Sequence, residues 1–496
     1  MSENNGQDYH LTEEGVREDL QRQPYVLMRL VENAFIVAEN LRGNYFENTS
    51  KFIKDLRKKI LLAKSGESDP IISISNINGA NWQEVQGEVV TFIDGGVGQV
   101  EISGQIPILL RVGSYAVRTG ERNLAEREQF GYYPVILGDL EGGSKERKDF
   151  IDIVRITAEL LGGLSALKRT PNLRLLMFHG PLMYLMGNYA GHSPFTENDI
   201  DLFLRSYAAN PQLASDLKNK FLEEARIQIY PKLAPGVDTD MIQKKLFDPL
   251  AWMAFLYQQL ISEAKKRSPV PIIAGVVERG RLREFSEDVL LERIFVSLRK
   301  KNNQNYFNNL FGRTDLKTPG ILLDRLAYTD AILMAMLMKP GQRSESWIIN
   351  KLKGLRTGQT ILTGEARATN MDWSILKDPL LGFPKIKGCY ISVSDRTEPI
   401  RVEVFECLGE QQIEEAAKRA YLYSLLIPGY GFPVGLDVAD KFAKVPTWLT
   451  NAYSKLIKHH LSVSLQKGEI KDAEMRHLLV QAIYMTHRDW LFRPNP

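Results

Sequence analysis

Short apolar runs broken by glycine and polar residues set the pattern from residue 88 onward. Val89, Val90, Phe92 and Ile93 are β-branched or aromatic and lie in a run too short for a helix. They predict a buried strand that ends at Asp94 and turns at Gly95 and Gly96 before a second strand-like run reaches Glu101. Further strand-like runs at 106–112 and 114–118, separated by Gly113, predict an antiparallel meander. Leu173 to Phe178 repeats the layout of the first run: an apolar strand, then a residue able to bind a metal, His179, then glycine. Runs at 270–277, 388–393 and 399–405 add core strands. In the last of these, Arg401 and Glu403 alternate with Ile400, Val402 and Val404, which predicts one polar and one apolar face.

Helical spacing occupies the intervals. From Thr12 to Ala63, apolar residues such as Val26, Leu30, Val31 and Phe35 recur at three and four. Lys51, Lys54, Arg57, Lys58 and Lys59 make the end of that stretch basic, read first as a solvated helix face. Residues 144–168 form a second helical pattern, in which Glu159 either faces inward or pairs with Arg155 four residues earlier. A third spans 197–266, and near the end of the chain a Gly-Tyr-Gly-Phe432-Pro433 turn feeds a helix that carries Asp440. The expected organisation is an N-terminal helical region (1–84) as a candidate partner-docking element, a core in two parts (85–196 and 269–446), a helical insertion between them (197–268) and a C-terminal helical tail (447–496). The fold class is α/β, with a mixed sheet flanked by helices.

Composition narrows the function classes. The chain has 496 residues, and 63 basic against 60 acidic side chains leave a net charge of +3, so nucleic-acid binding needs a local basic patch. Two cysteines, Cys389 and Cys407, offer no CxxC spacing and argue against structural zinc. The N-terminus is polar, and no run of about 18 apolar residues appears, which predicts a cytoplasmic protein with no membrane partner. His459, His460 and His487 have no ligand-like spacing to one another and carry no assigned chemistry.

Chemistry concentrates at the strand ends. A buried carboxylate at Asp94 is costly unless a positive partner faces it, and a divalent metal is such a partner; an Asp that caps a Gly-rich turn explains the same residue. Two strand ends that each present a ligand, with a helix that carries a Glu, suggest a metal cluster in an α/β sheet.

The order and spacing of these blocks resemble the NurA family of DNA-end-processing nucleases. Ile93-Asp94-Gly95 is similar to its first metal-binding segment, Arg155 to Glu159 to the helix with an acidic ligand, and Leu175 to Leu182 to its second strand. Val276-Val277, Met338 to Ser344, Ile400 to Glu403 and Phe432-Pro433 through Ala439-Asp440 resemble the remaining blocks. The resemblance implies an RNase H-like core, a homodimer, DNA as substrate and a HerA-like hexameric ATPase as partner, in end processing or defence against foreign DNA. It further implies Asp94, Glu159, His179 and Asp440 as metal ligands and catalytic residues, with Arg279, Arg401 and Phe432 toward phosphate or DNA.

Four positions depart from the family pattern. His179 stands for an Asp, Asp440 for a His, Phe432 for a Tyr and Glu278 for a Lys. The first two read as an exchange. An imidazole in place of a carboxylate disfavours Mg2+ more than Mn2+, so Mn2+ is the expected ion, with Mg2+ second. Two functions remain open at this point: a metal-dependent nuclease, or a catalytically silent subunit that binds DNA or regulates the ATPase.

Overall fold

The computed structural model describes residues 21–62, 71–100, 108–123, 128–137, 144–182, 211–224, 249–326, 328–349 and 384–484, with Ala125, Ile200, Asp201 and Leu204. Expectations that fall on 12–20, 63–70, 101–107, 183–199, 225–248 and His487 lie outside these residues.

One mixed sheet of ten strands organises the chain. The strands are β1 (Ile74–Asn76), β2 (Val89–Gln99), β3 (Ile108–Arg118), β4 (Glu128–Leu137), β5 (Leu173–His179), β6 (Ile272–Val277), β7 (Gln342–Ser344), β8 (Trp347–Ile348), β9 (Ile386–Ser392) and β10 (Ile400–Phe405). Their order is β1-β7-β9-β10-β6-β5-β2-β3-β4, with β8 beside β9. β2, β5 and β6 run parallel to their neighbours in that trio, and the other pairings are antiparallel. The meander β2-β3-β4 followed by parallel β5 and β6 is compatible with the RNase H-like core that the resemblance implies. β1 lies within residues 1–84 and joins the sheet through β7.

Helices cover both faces. On one lie α1 (Ser144–Arg169) and α2 (Pro249–Lys265), with Val154, Leu161, Leu164, Trp252 and Leu256 in a core shared with Leu176 and Phe178 of β5. An earlier helix at Glu47–Leu62 adds Phe52, Ile53 and Leu56 to that core. On the opposite face lie α3 (Gln412–Ser424) and α4 (Val434–Ala443), which bury Ala416, Ala417, Ala420, Leu436 and Ala439 against Phe92, Met177 and Val402. The helix at Pro24–Asn40 exposes large apolar side chains, among them Tyr25, Leu30 and Phe35.

Three expectations need correction. The glycines after Asp94 do not turn the chain: β2 continues to Gln99, and Gly113 does not divide β3. Glycine inside a strand also marks close approach of another backbone, and that is its use here. A methyl at Gly96 would overlap the Ala443 carbonyl, and one at Gly113 the Ala439 carbonyl, so these glycines form the bed on which α4 lies. Third, β10 has no solvated polar face. All six of its residues are buried, because Arg401 and Glu403 neutralise each other at 2.7 Å beneath helices that cover both sides.

Among the described residues, no helix is long and apolar enough to cross a membrane.

Candidate metal centre

Alternation along β2 puts Asp94 on the face of Val90 and Phe92, and alternation along β5 puts His179 on the face of Leu175 and Met177. Both side chains therefore point toward α4. Asp94 pairs across the ladder with Gly113, over which the Ala439 carbonyl rests, so the next residue of α4, Asp440, arrives beside them. Potential ligand atoms of Asp94, His179 and Asp440 all lie within 4.8 Å of one another. His179 Nδ1 stands 3.0 Å from Asp94 Oδ2. That separation suits a hydrogen bond, and it also suits two neighbouring ligands of one octahedral ion, which stand about 2.9 Å apart for bonds of about 2.0–2.1 Å.

The electrostatics carry the mark of crowded carboxylates. Burial raises Asp440 above the usual carboxylate range, and the adjacent Asp94 raises it further through its charge and a shared hydrogen bond. Burial alone would lower His179, yet the hydrogen bond to Asp94 and the charges of Asp94, Asp440 and Glu159 lift it above its ordinary value. With the two acids set together beside a half-buried imidazole, Asp440 and His179 both hold their protons more tightly than usual. A divalent cation fits that donor set, two carboxylate oxygens and one imidazole nitrogen.

Glu159 approaches from the other face. It is buried on α1 behind Gly95, where an added methyl would stand 2.5 Å from Glu159 Oε1. Arg155 donates to that same oxygen at 2.8 Å, so the i, i+4 pair expected from spacing and the inward position both occur. β5 ends at His179 while β2 runs on, and the pairing of the two stops at Ile93 and Phe178. Glu159 sits at the notch this leaves, outside the group of three. Burial raises its carboxyl strongly despite Arg155, and Asp94 adds to the rise.

The remaining candidates are placed differently. Arg279 is exposed, with Glu278 3.8 Å away. Arg401 is 6% exposed and locked to Glu403, so it presents no surface to a phosphate. Phe432 is turned inward, 5.1 Å ring to ring from His179, and braces that imidazole where a DNA contact was expected.

Glu403 itself emerges as a support of the site. Its second oxygen accepts the Leu182 N–H at 2.8 Å, and the Tyr257 hydroxyl donates to the Leu182 carbonyl, so the segment after His179 is held through both backbone groups of Leu182. Glu403→Ala leaves Arg401 and that N–H buried without their acceptor and is expected to cost about 3–5 kcal/mol of stability. Glu403→Gln keeps an acceptor and should recover part of it; denaturant unfolding of the two variants measures the difference.

Residues 266–445 match the model of the NurA domain. Among solved structures, similarity extends to the NurA nuclease from Sulfolobus solfataricus, at 14% identity over 86% of this chain and 97% of that chain, with a TM-score of 0.44. A second NurA structure aligns at 12% identity over 92% and 98% with a TM-score of 0.37. A NurA bound to dAMP and manganese aligns at 12% over 86% and 94% with a TM-score of 0.35. No curated protein matches the sequence. Asp440, Arg279, Arg401 and Phe432 fall inside the matched segment, whereas Asp94, Glu159 and His179 precede it. Residues 266–445 of this chain thus match the NurA domain, the family that the sequence blocks resemble.

Proposed function

We propose that this chain is a metal-dependent deoxyribonuclease of the NurA type, with Asp94, His179 and Asp440 as ligands of a divalent ion. The observation that carries the reading is the convergence of these three side chains, from two strands and a helix far apart in sequence, to within 4.8 Å. When bound, such an ion supplies Lewis-acid stabilisation of a scissile phosphate and lowers the pKa of a water that attacks it. The protein's own residues do the rest. Asp94 and Asp440 contribute the negative charge that retains the ion, and His179, with Nδ1 directed at Asp94 and its ring braced by Phe432, is fixed in orientation. Glu159, behind Gly95 and restrained by Arg155, lies outside this group of three and holds a proton near Asp94. The mixed donor set favours Mn2+ over Mg2+. The exposed apolar helix at Pro24–Asn40 is where we place the docking of a HerA-like ATPase.

The test is cleavage of end-labelled single-stranded and duplex DNA with Mn2+, Mg2+ or EDTA. Cutting is expected with Mn2+, slower cutting with Mg2+ and none with EDTA. Folded protein that binds Mn2+ and DNA without cutting either substrate would exclude the enzyme and leave the silent subunit.

The same groups set a pH dependence. Glu159, His179 and Asp440 bind protons more tightly in the native state than their ordinary values imply. The native state therefore holds more protons than the unfolded chain, and metal-free stability falls as pH rises. For Glu159 the window runs from 4.5 to about 8. Thermal unfolding in EDTA should give a lower Tm at pH 8 than at pH 6. Excess Mn2+ should narrow the gap, because the ion displaces those protons and binds better at high pH; an equal pH slope with and without Mn2+ contradicts the assignment.

A further inference from the structure

The connection between α3 and α4 exposes a run of apolar residues next to the metal cluster. Leu425 is 40% exposed, Leu426 54%, Ile427 47% and Tyr430 41%. Exposed apolar patches of this kind mark contact sites more often than folding needs. Its position is fixed by its neighbours. Phe432 points inward onto His179, while Tyr430, two residues earlier, stays at the surface and donates its hydroxyl to Asp437 Oδ1 at 3.0 Å. Asp437 precedes Asp440 by three residues on α4, which makes the two adjacent on the helix surface.

The loop is also pre-shaped. Gly429 and Gly431 flank Tyr430 at φ of +78° and +79°, a conformation that other residues rarely adopt. A methyl at Gly431 would overlap the Thr397 side chain, and the Tyr430 N–H closes a turn on the Ile427 carbonyl at 3.2 Å. Tyr430 and Ile427 are thus held in one turn, with the ring beside the cluster before any ligand arrives.

We propose that this loop is a nucleobase platform: Tyr430, flanked by Leu426 and Ile427, receives an unpaired base adjacent to the phosphate that an ion at Asp94, His179 and Asp440 would hold. The inference rests on the nuclease reading and adds to it a residue that positions the base beside the scissile phosphate. The surroundings favour a base over a phosphate at this position, because Asp437 and Glu278 lie near Tyr430 and repel a second anion. A base inside a duplex has both faces covered by its neighbours, so only an unstacked base can lie on the ring. Stacking on an aromatic side chain contributes about 1–3 kcal/mol per base, so removing the ring should weaken binding about tenfold.

The experiment uses the full chain with Mn2+ and a single-stranded, phosphorothioate-linked DNA that carries 2-aminopurine near its end, with a blunt duplex of the same sequence for comparison. Wild type and Tyr430→Phe are expected to quench the 2-aminopurine and to prefer the single strand. Tyr430→Ala and Leu426→Ser should lose quenching, with Tyr430→Ala about tenfold weaker on the single strand and little changed on the duplex. Mn2+ titration followed by electron paramagnetic resonance accompanies each variant and should be unchanged. Tyr430→Ala that binds and quenches like wild type overturns the platform, whatever the metal result. A wild type that binds Mn2+ but leaves the probe unquenched also overturns it and makes the loop a protein contact. A wild type that quenches the probe without binding Mn2+ retains the platform and removes the metal reading instead.

Discussion

Asp94→Ala is expected to lower metal-dependent cleavage about a thousandfold, equivalent to about 4 kcal/mol of barrier. Asp94 is the residue that the other groups share: His179 stands 3.0 Å from its Oδ2, Asp440 faces it, and Glu159 lies behind the following glycine. Its removal takes away a proposed ligand, the partner of the imidazole and the neighbour that crowds Asp440. The same variant should be no less stable than wild type without metal, since the crowding of two carboxylates is relieved. Single-turnover cleavage and thermal unfolding in EDTA, measured together, separate this outcome from misfolding. A variant that unfolds in EDTA well below wild type would mean that Asp94 acts through structure.

The second large effect is expected from Gly96→Ala. The added methyl meets the Ala443 carbonyl, a backbone group that cannot swing aside, so α4 must shift or β2 must bend. Such overpacking typically costs about 1–3 kcal/mol, and here α4 also carries Asp440. Loss of Mn2+ affinity should therefore accompany the loss of stability, although Gly96 offers no ligand. Gly79→Ala is the control, because Gly79 is exposed with nothing within 4 Å of its missing Cβ. Equal Mn2+ affinity in wild type and Gly96→Ala would show that α4 is not seated by these glycines.

Much of the site was legible in short stretches. Asp94 and His179 end buried runs with the same layout, whereas their common face comes from the parallel pairing of Phe92 with Met177 and Ile93 with Phe178. The Arg155–Glu159 pair followed from helical spacing, and its burial was one of two open readings. What escaped were relations between distant segments. The glycines of β2 and β3 looked like turns because their true neighbour, α4, begins more than 300 residues later. Glu403 alternates with apolar residues as a surface charge would, and only its contact with Leu182, 221 residues away, shows why it is buried. Phe432 and Tyr430 are both aromatic residues near a turn, and the sequence gives no sign of which faces inward. The strand at Glu128–Leu137 was not anticipated, although it completes the antiparallel meander.

Asp94, His179 and Asp440 are proposed to bind a divalent ion together. The most direct test is a Mn2+ titration of metal-free protein, followed by electron paramagnetic resonance, for wild type, Asp94→Ala, His179→Ala and Asp440→Ala. Wild type is expected to show saturable high-affinity binding that each substitution weakens sharply. Wild type without such binding, or three variants that retain it unchanged, would exclude the shared site.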